Sequence, residues 1–469
     1  MPREARHQDV TIVVLVLDGM RPDLLSDSIA PFLAEKRRTG VTFANAYSVF
    51  PSSTRVCAAS FATGCSPLAH GIVENTMRDP GHPTRALTSC ANWEFLSSLA
   101  SSRTGRVLPP LTMAEVVEQN GLRFFSACSG STGTAFLLNP QAAGMNVHWS
   151  TAWPTSARNA VERSIGFLPP DSSTTARNRF ILDVALRELD GKRPPNVFVL
   201  WFTEPDQAQH DFGLGSERWA HALANLDEQI AAFCERVLSR RGESSTVFVA
   251  LSDHGAVTPL QHIDPVAELV SHGLKRSVDS TEILVADNSV HVRQPDAAES
   301  IVRFLAQAEW VGAILVRDDL WTPGLPALPL SAVGCNHPRA AEIMVSFATS
   351  DGASDAGVPG TSSLIGNHAI HGSASPYEMS VVLFAWGSGI PQSTRSDTPC
   401  GVVDLFSTSA FLAEAVPSAR MNERAIPLRE TPPAGPNARA PVETQSHGGF
   451  FVSQTRRAGT MYTIKAGRN

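Results

Sequence analysis

Four short apolar runs constrain this chain most: TIVVLVLDGM (11–20), NVFVLWFTEPD (196–206), STVFVALSDHG (245–255) and MSVVLFAWGSG (379–389). Apolar runs without alternation suit strands buried on both faces, as in a parallel sheet covered by helices. Helical patterns lie between them, over 111–121, 178–191 and 217–242. Strands alternating with helices predict an α/β doubly wound fold, a mostly parallel sheet with helices on both faces. In such folds ligands sit beyond the carboxyl ends of the strands, and three of the four runs place an aspartate there: Asp18, Asp206 and Asp253.

A chain of 469 residues is long for a single core. Between His254 and His371 the texture shifts to short strands and one amphipathic helix. This predicts a small inserted α+β cap over 259–365, with 1–258 and 366–469 forming the core. The Pro-, Ala- and Arg-rich RAIPLRETPPAGPNARAPVETQ (424–445) reads as an extended wrap or a partly disordered segment.

A net charge of -7 offers no bulk attraction to a nucleic-acid polymer. The seven cysteines are scattered without a CxxC pair, which predicts reduced thiols rather than a disulfide framework. The N-terminal MPREARHQDV is polar, and the TIVVLVL behind it is too short to span a membrane. These features predict a cytoplasmic protein without membrane contact, monomeric or homodimeric.

Chemistry gathers at the strand ends. VLDGM supplies Asp18, EPDQAQH supplies Asp206 and His210, SDHG supplies Asp253 and His254, and IHGS supplies His371. Asp206 and His210 share a face if one helical turn follows the strand. Taken singly, each residue has an ordinary structural reading as a helix cap or a hydrogen-bonded imidazole. Together, three Asp and three His provide mixed nitrogen and oxygen coordination for two zinc-like ions. The stretch FPSSTRVCAASFATGCSPLAHGIVEN (50–75) adds a Ser-Ser-Thr-Arg sequence ahead of a helix of small residues. Its hydroxyls are either simple N-caps or neighbours of a phosphate-like anion at the helix N-terminus.

This ordered set of motifs resembles the alkaline phosphatase superfamily, and within it the nucleotide pyrophosphatase/phosphodiesterase branch, over about residues 10–390. The resemblance makes Thr54 the nucleophile, ten residues before Gly64, with Ser52 and Ser53 as rivals only if the register slips. It assigns one metal, expected to be Zn2+ with Mn2+ or Fe2+ as substitutes, to Asp206, His210 and His371. The second goes to Asp18, Asp253, His254 and the Thr54 oxygen. Asn75 falls where the family contacts a non-bridging phosphoryl oxygen. The implied activity is hydrolysis of phosphodiesters or nucleotide pyrophosphates through a phosphothreonine intermediate, with small-molecule phosphate esters or phosphonates as substrates.

Two positions depart from the branch. Its Phe after the nucleophile and its Tyr five residues before the PD aspartate sandwich a nucleobase; here they are Arg55 and Trp201. A base slot of Arg55 and Trp201 is one expectation, and Arg55 binding a carboxylate or second phosphate is the other. Phosphonoacetate hydrolases and one class of phosphatases grip their substrates with Lys or Arg on a segment matched here by RFFSACSGSTGTAF, which supplies only Ser, Gly and Thr there. This favours diesters over the alternative, a phosphonate or phosphomonoester hydrolase. A metal-binding protein without catalysis is the third reading, opposed by the intact nucleophile.

Overall fold

In a computed structural model, residues 10–78, 87–100, 104–413, 425–426, 428 and 441–469 are described. The core is a nine-stranded sheet. Its spatial order is Thr394–Ser396, Val41–Phe43, Leu383–Gly387, Thr246–Leu251, Thr11–Leu17, Val197–Phe202, Phe124–Cys128, Met145–His148 and Thr151–Trp153. The central pairings are parallel, while Leu383–Gly387 runs antiparallel to both of its neighbours.

Alternate side chains of the first strand enter different cores. Ile12, Val14 and Val16 pack into one apolar cluster, and Val13, Leu15 and Leu17 into another on the opposite face. Burial of every side chain on both faces is why the run shows no polar alternation. The helix Glu217–Arg241 covers one face with Leu223, Leu226, Ile230 and Phe233. The helix Thr54–Thr63 packs into the other face with Val56, Ala58, Ala59 and Phe61.

Residues 283–347 carry a separate five-stranded sheet, ordered Ile283–Ala286, Ser289–Val292, Ile343–Phe347, Val311–Val316 and Leu328–Pro329, with the helix Asp296–Leu305 beside it. The chain leaves and re-enters the core side by side. Val257 N donates to Ile370 O at 2.9 Å, and Ile370 N donates back to Val257 O at 3.0 Å. Three antiparallel strands, Val442–His447, Phe450–Arg457 and Thr460–Arg468, close the described chain. They tie the two parts together: Ala466 N donates to Ala374 O at 2.9 Å, and Arg468 Nε donates to Val311 O at 2.9 Å. Most of the 424–445 segment lies outside the described residues; its end, 442–445, belongs to the first of these strands rather than to a disordered stretch.

Cys57, Cys90, Cys128, Cys234, Cys335 and Cys400 are buried free thiols. Among the described residues, no helix is long and apolar enough to cross a membrane.

Candidate active site

Three adjacent parallel strands deliver the acidic residues. Asp18 follows Thr11–Leu17, Asp206 opens the helix Asp206–Phe212 beyond Val197–Phe202, and Asp253 and His254 follow Thr246–Leu251. The turn after the first strand must pass very close to its neighbour. Gly19 sits at φ 68°, and a Cβ there would lie 2.8 Å from Asp206 Oδ1, so this position is restricted to glycine. Gly19 N in turn donates to Asp253 Oδ1 at 3.0 Å.

The six strand-end residues converge. Ligand atoms of Asp206, His210 and His371 lie within 4.8 Å of one another, as do those of Asp18, Asp206 and His254. The first set coincides with one predicted group. In the second, Asp206 joins Asp18 and His254, and Asp253 Oδ2 stands 3.4 Å from the His254 Nε2. Backbone carbonyls fix two of the imidazoles. His254 Nδ1 donates to Gly255 O at 2.9 Å and His371 Nδ1 to Ser52 O at 3.0 Å, which turns each Nε2 lone pair toward the cluster. The two rings stack with centroids 3.9 Å apart.

Buried oxygens without partners test whether the cluster fits a cation. Asp18 Oδ1, Asp206 Oδ1 and Asp253 Oδ2 have no hydrogen-bond partner. Burial, together with the Asp253 and Asp206 carboxylates, pushes Asp18 well above the usual carboxylate range. Burial raises Asp253 as well. Asp206 is lowered despite its burial, because the His210, His371 and His254 imidazoles favour its anion. His210 rises to about 9 beside Asp206, and His371 is lowered by burial and by His254. Crowded carboxylate oxygens without hydrogen-bond partners beside imidazole nitrogens are a donor set that divalent, zinc-like ions satisfy.

Thr54 is the first residue of its helix, and its Oγ1 lies 3.1 Å from His254 Nε2. With Nδ1 as the imidazole donor, the hydroxyl donates to Nε2. The capping reading of the Ser-Ser-Thr sequence fails. Ser53 makes no side-chain cap; its Oγ donates to Glu74 Oε1 at 2.9 Å, and Ser52 Oγ donates to Ser373 O at 2.7 Å. Both rival hydroxyls are therefore committed elsewhere. Asn75 Oδ1 accepts from Arg55 N at 3.1 Å, which leaves its Nδ2 as the donor available to the cavity it lines.

Glu74 is a component that the sequence did not reveal. Its carboxylate also accepts from Asn75 N at 3.0 Å and from Ser289 Oγ at 3.3 Å, joining the Thr54 helix to the inserted segment. Burial lifts it to about 8, with Asp287 adding to the effect.

Trp201 requires a correction. It is fully buried, donates from Nε1 to Asp18 Oδ2 at 2.9 Å and meets Phe61 edge-on at 6.0 Å. It is absent from the cavity lining and cannot stack on a base with Arg55, because its strand turns this side chain toward the Thr54 helix. Arg55 does line the cavity.

That cavity has a volume of about 880 Å³. Its walls include Thr54 and Asn75 near the cluster, Asp287 and Asn288 from the inserted segment, and Trp149 and Arg177 on the opposite side. The RFFSACSGSTGTAF segment contributes Gly130, Ser131, Thr132 and Thr134 to the lining, in agreement with the small uncharged residues expected there. A cation does line the cavity from elsewhere, Arg177 of the helix Thr174–Leu189.

The family model for type I phosphodiesterase / nucleotide pyrophosphatase matches residues 12–309. Venom phosphodiesterase CdcPDE of Crotalus durissus collilineatus is 23% identical over 253 residues, 54% of this chain and 27% of that protein. Ectonucleotide pyrophosphatase/phosphodiesterase family member 1 of Homo sapiens is 22% identical over 251 residues, 51% of this chain and 23% of that protein. These matches span about a quarter of the relatives' own length. Wild-type alkaline phosphatase PafA superposes with a TM-score of 0.65 at 18% identity, covering 88% of this chain and 97% of that one. Murine ectonucleotide pyrophosphatase / phosphodiesterase 5 superposes at 0.60 and 18%, covering 87% and 96%. The structural likenesses show the fold, an alkaline phosphatase-like α/β architecture.

Proposed function

The chain belongs to the type I phosphodiesterase / nucleotide pyrophosphatase family, and on that premise we propose that it is a metal-dependent hydrolase cleaving phosphodiester or nucleotide pyrophosphate bonds through a phosphothreonine on Thr54. One observation carries the reading: the Thr54 hydroxyl, at a helix N-terminus, is 3.1 Å from an imidazole nitrogen that itself lies 3.4 Å from both Asp18 and Asp253 carboxylates.

Asp206, His210 and His371 would hold one divalent ion, and Asp18, Asp253, His254 and Thr54 a second, supplying Lewis-acid stabilisation of the attacking and leaving oxygens when bound. The chain's own groups do the rest. The Thr54 Oγ1–P bond forms as the bond to the leaving arm breaks, the hydroxyl proton ending on the departing oxygen, and water later bonds to phosphorus and returns a proton to Oγ1 as the Oγ1–P bond breaks. Asn75 Nδ2 donates to a non-bridging oxygen, held in orientation by Arg55 N on its Oδ1 and by Glu74 on its backbone. The first amides of the Thr54 helix add a positive dipole end on the same side. Trp201 and the Gly255 and Ser52 carbonyls orient Asp18, His254 and His371.

Nucleotide-type arms have precedent among the structural neighbours, since an inactive variant of the murine protein was solved in complex with AMP. The six buried free thiols support a reducing compartment such as the cytoplasm. The alternative, a phosphonate or phosphomonoester hydrolase, is favoured by one feature, the Arg177 guanidinium in the cavity wall. A panel of p-nitrophenyl mono- and diesters, dinucleotides and phosphonoacetate separates the two. Diester or pyrophosphate kcat/KM at least about tenfold above monoester supports the first reading, and the reverse order replaces it with the second.

A further inference from the structure

On the side of the cavity away from the inserted segment, Trp149 is held rigidly. Its Nε1 donates to Gly130 O at 3.3 Å, and the neighbouring His148 Nε2 donates to the same carbonyl at 2.8 Å. The His148 and Trp149 rings are 4.8 Å apart, and Ser150 N donates to His148 Nδ1 at 3.1 Å. Arg177 lies over this platform, its Cζ 4.2 Å from the Trp149 ring centroid.

The guanidinium has few partners. Nη2 donates to Pro170 O at 3.2 Å, while the buried Nε has no partner, and among the described residues Arg177 forms no ion pair with a carboxylate. Burial lowers its basicity, and no acidic group offsets that effect. Arg177 also occupies the first turn of the 16-residue helix Thr174–Leu189, where the positive end of the helix dipole disfavours a cation. An ordinary surface arginine would turn into water; this one is laid on an indole beside the cavity. Arg55 is in a different situation, because its charge already opposes the burial-driven rise of the Asp18 and Asp287 carboxyls.

We propose that Arg177, laid on Trp149, forms an anion subsite that recognises a negatively charged group on the substrate beyond the scissile phosphorus. The inference rests on the hydrolase reading and narrows it to diesters or pyrophosphates whose second arm carries a carboxylate or phosphate. A planar guanidinium with its Nε unused matches two oxygens of such a group, and the indole below fixes the plane of the fork. A neutral arm would leave the guanidinium without a counter-charge.

The test compares phenyl 4-nitrophenyl phosphate with 4-carboxyphenyl 4-nitrophenyl phosphate, which differ only in the anionic substituent, and includes 4-nitrophenyl phosphate. Calorimetric binding of 4-carboxyphenyl phosphonate and phenyl phosphonate to the same protein runs in parallel. The wild-type chain should prefer the carboxyphenyl diester by about tenfold or more in kcat/KM, and the carboxyphenyl phosphonate likewise in Kd. Arg177→Met should bring both ratios below about twofold, and Arg177→Lys should restore part of each. Ratios unchanged in Arg177→Met overturn the subsite. So does a loss confined to 4-nitrophenyl phosphate, which would put Arg177 on the scissile phosphoryl group itself. If neither diester turns over, the hydrolase reading fails, and the phosphonate pair alone decides the subsite.

Discussion

The indole nitrogen of Trp201 donates to Asp18 Oδ2 across 2.9 Å, in a position sealed from solvent and braced edge-on by Phe61 of the Thr54 helix. One carboxylate oxygen is thereby spoken for, and the other, Oδ1, is left without a partner beside His254. Trp201→Phe keeps a buried ring but frees Asp18 to rotate. Affinity for zinc, measured by competition with a chromogenic chelator, should fall by roughly tenfold, as is typical when a ligand-orienting group is removed. An unchanged affinity would reduce Trp201 to a packing role.

Thr54 makes the sharpest mutational contrast. Thr54→Ala should lower kcat by roughly 10³-fold or more while leaving the circular dichroism spectrum unchanged, because the hydroxyl contributes one contact to the fold. Thr54→Ser keeps the oxygen and should retain measurable turnover. Full activity in Thr54→Ala would move the attack to another hydroxyl or to water.

Metal removal should show in stability as well as in turnover. Three buried carboxylates, each with an oxygen lacking a hydrogen-bond partner, are relieved by cation binding, so metal that binds only the folded chain raises its stability. Elemental analysis should find about two divalent ions per chain, the number a two-metal phosphoryl transfer site uses. Dialysis against a chelator should abolish hydrolysis and lower Tm, and added zinc should restore both. A chain with full activity and the same Tm after complete metal removal would rule out the two-ion arrangement.

Acid stability isolates a histidine remote from this chemistry. His70 is buried, accepts from Ile72 N at Nδ1 and donates from Nε2 to Ser60 Oγ, and burial holds it near 3 against an ordinary value of 6.5. The unfolded chain therefore takes up the proton first, so the stabilisation is complete above about pH 6.5 and is lost as pH falls toward 3. Between pH 7 and pH 5, His70 should account for about 2 kcal/mol of lost stability. Urea unfolding of His70→Gln at the two pH values should show a loss smaller by that amount; equal losses in both proteins would contradict the assignment.

Most of the clustered residues were legible in the sequence because Asp18, Asp206, His210, Asp253 and His254 follow buried runs, and the fold brings the ends of neighbouring parallel strands together; His371 comes from a loop and was placed by the family resemblance. Thr54 was singled out through the family resemblance, which sets it ten residues before Gly64; Gly64 closes the helix that Thr54 opens, in a left-handed conformation at φ 64°. Trp201 was misread because a strand buried on both faces has no polar alternation to say which side a given residue occupies; the structure turns it under Asp18. Arg177 and Trp149 escaped notice for a different reason. They come from segments without a motif and meet only when the start of the helix Thr174–Leu189 reaches Trp149, a tertiary contact with no local signature. Glu74 lay within the quoted motif, but its role depends on Ser289, more than 200 positions away in sequence.

The hydrogen-bonded neck at Val257 and Ile370 has an evolutionary consequence. A segment whose two ends already pair with each other can be exchanged by recombination without reopening the sheet beneath it, and all six strand-end Asp and His residues stay behind on the recipient. Substrate preference and bond-breaking machinery can thus diverge at separate rates. Side-chain seams limit that freedom, and one of them is tight: Asn288, at a hairpin tip of the insert, donates to Ser373 Oγ at 3.0 Å, and a Cβ at Gly372 would lie 2.2 Å from its Oδ1. Any incoming insert must bring a side chain that fits beside Gly372, so lineages that trade this module should change these two positions together.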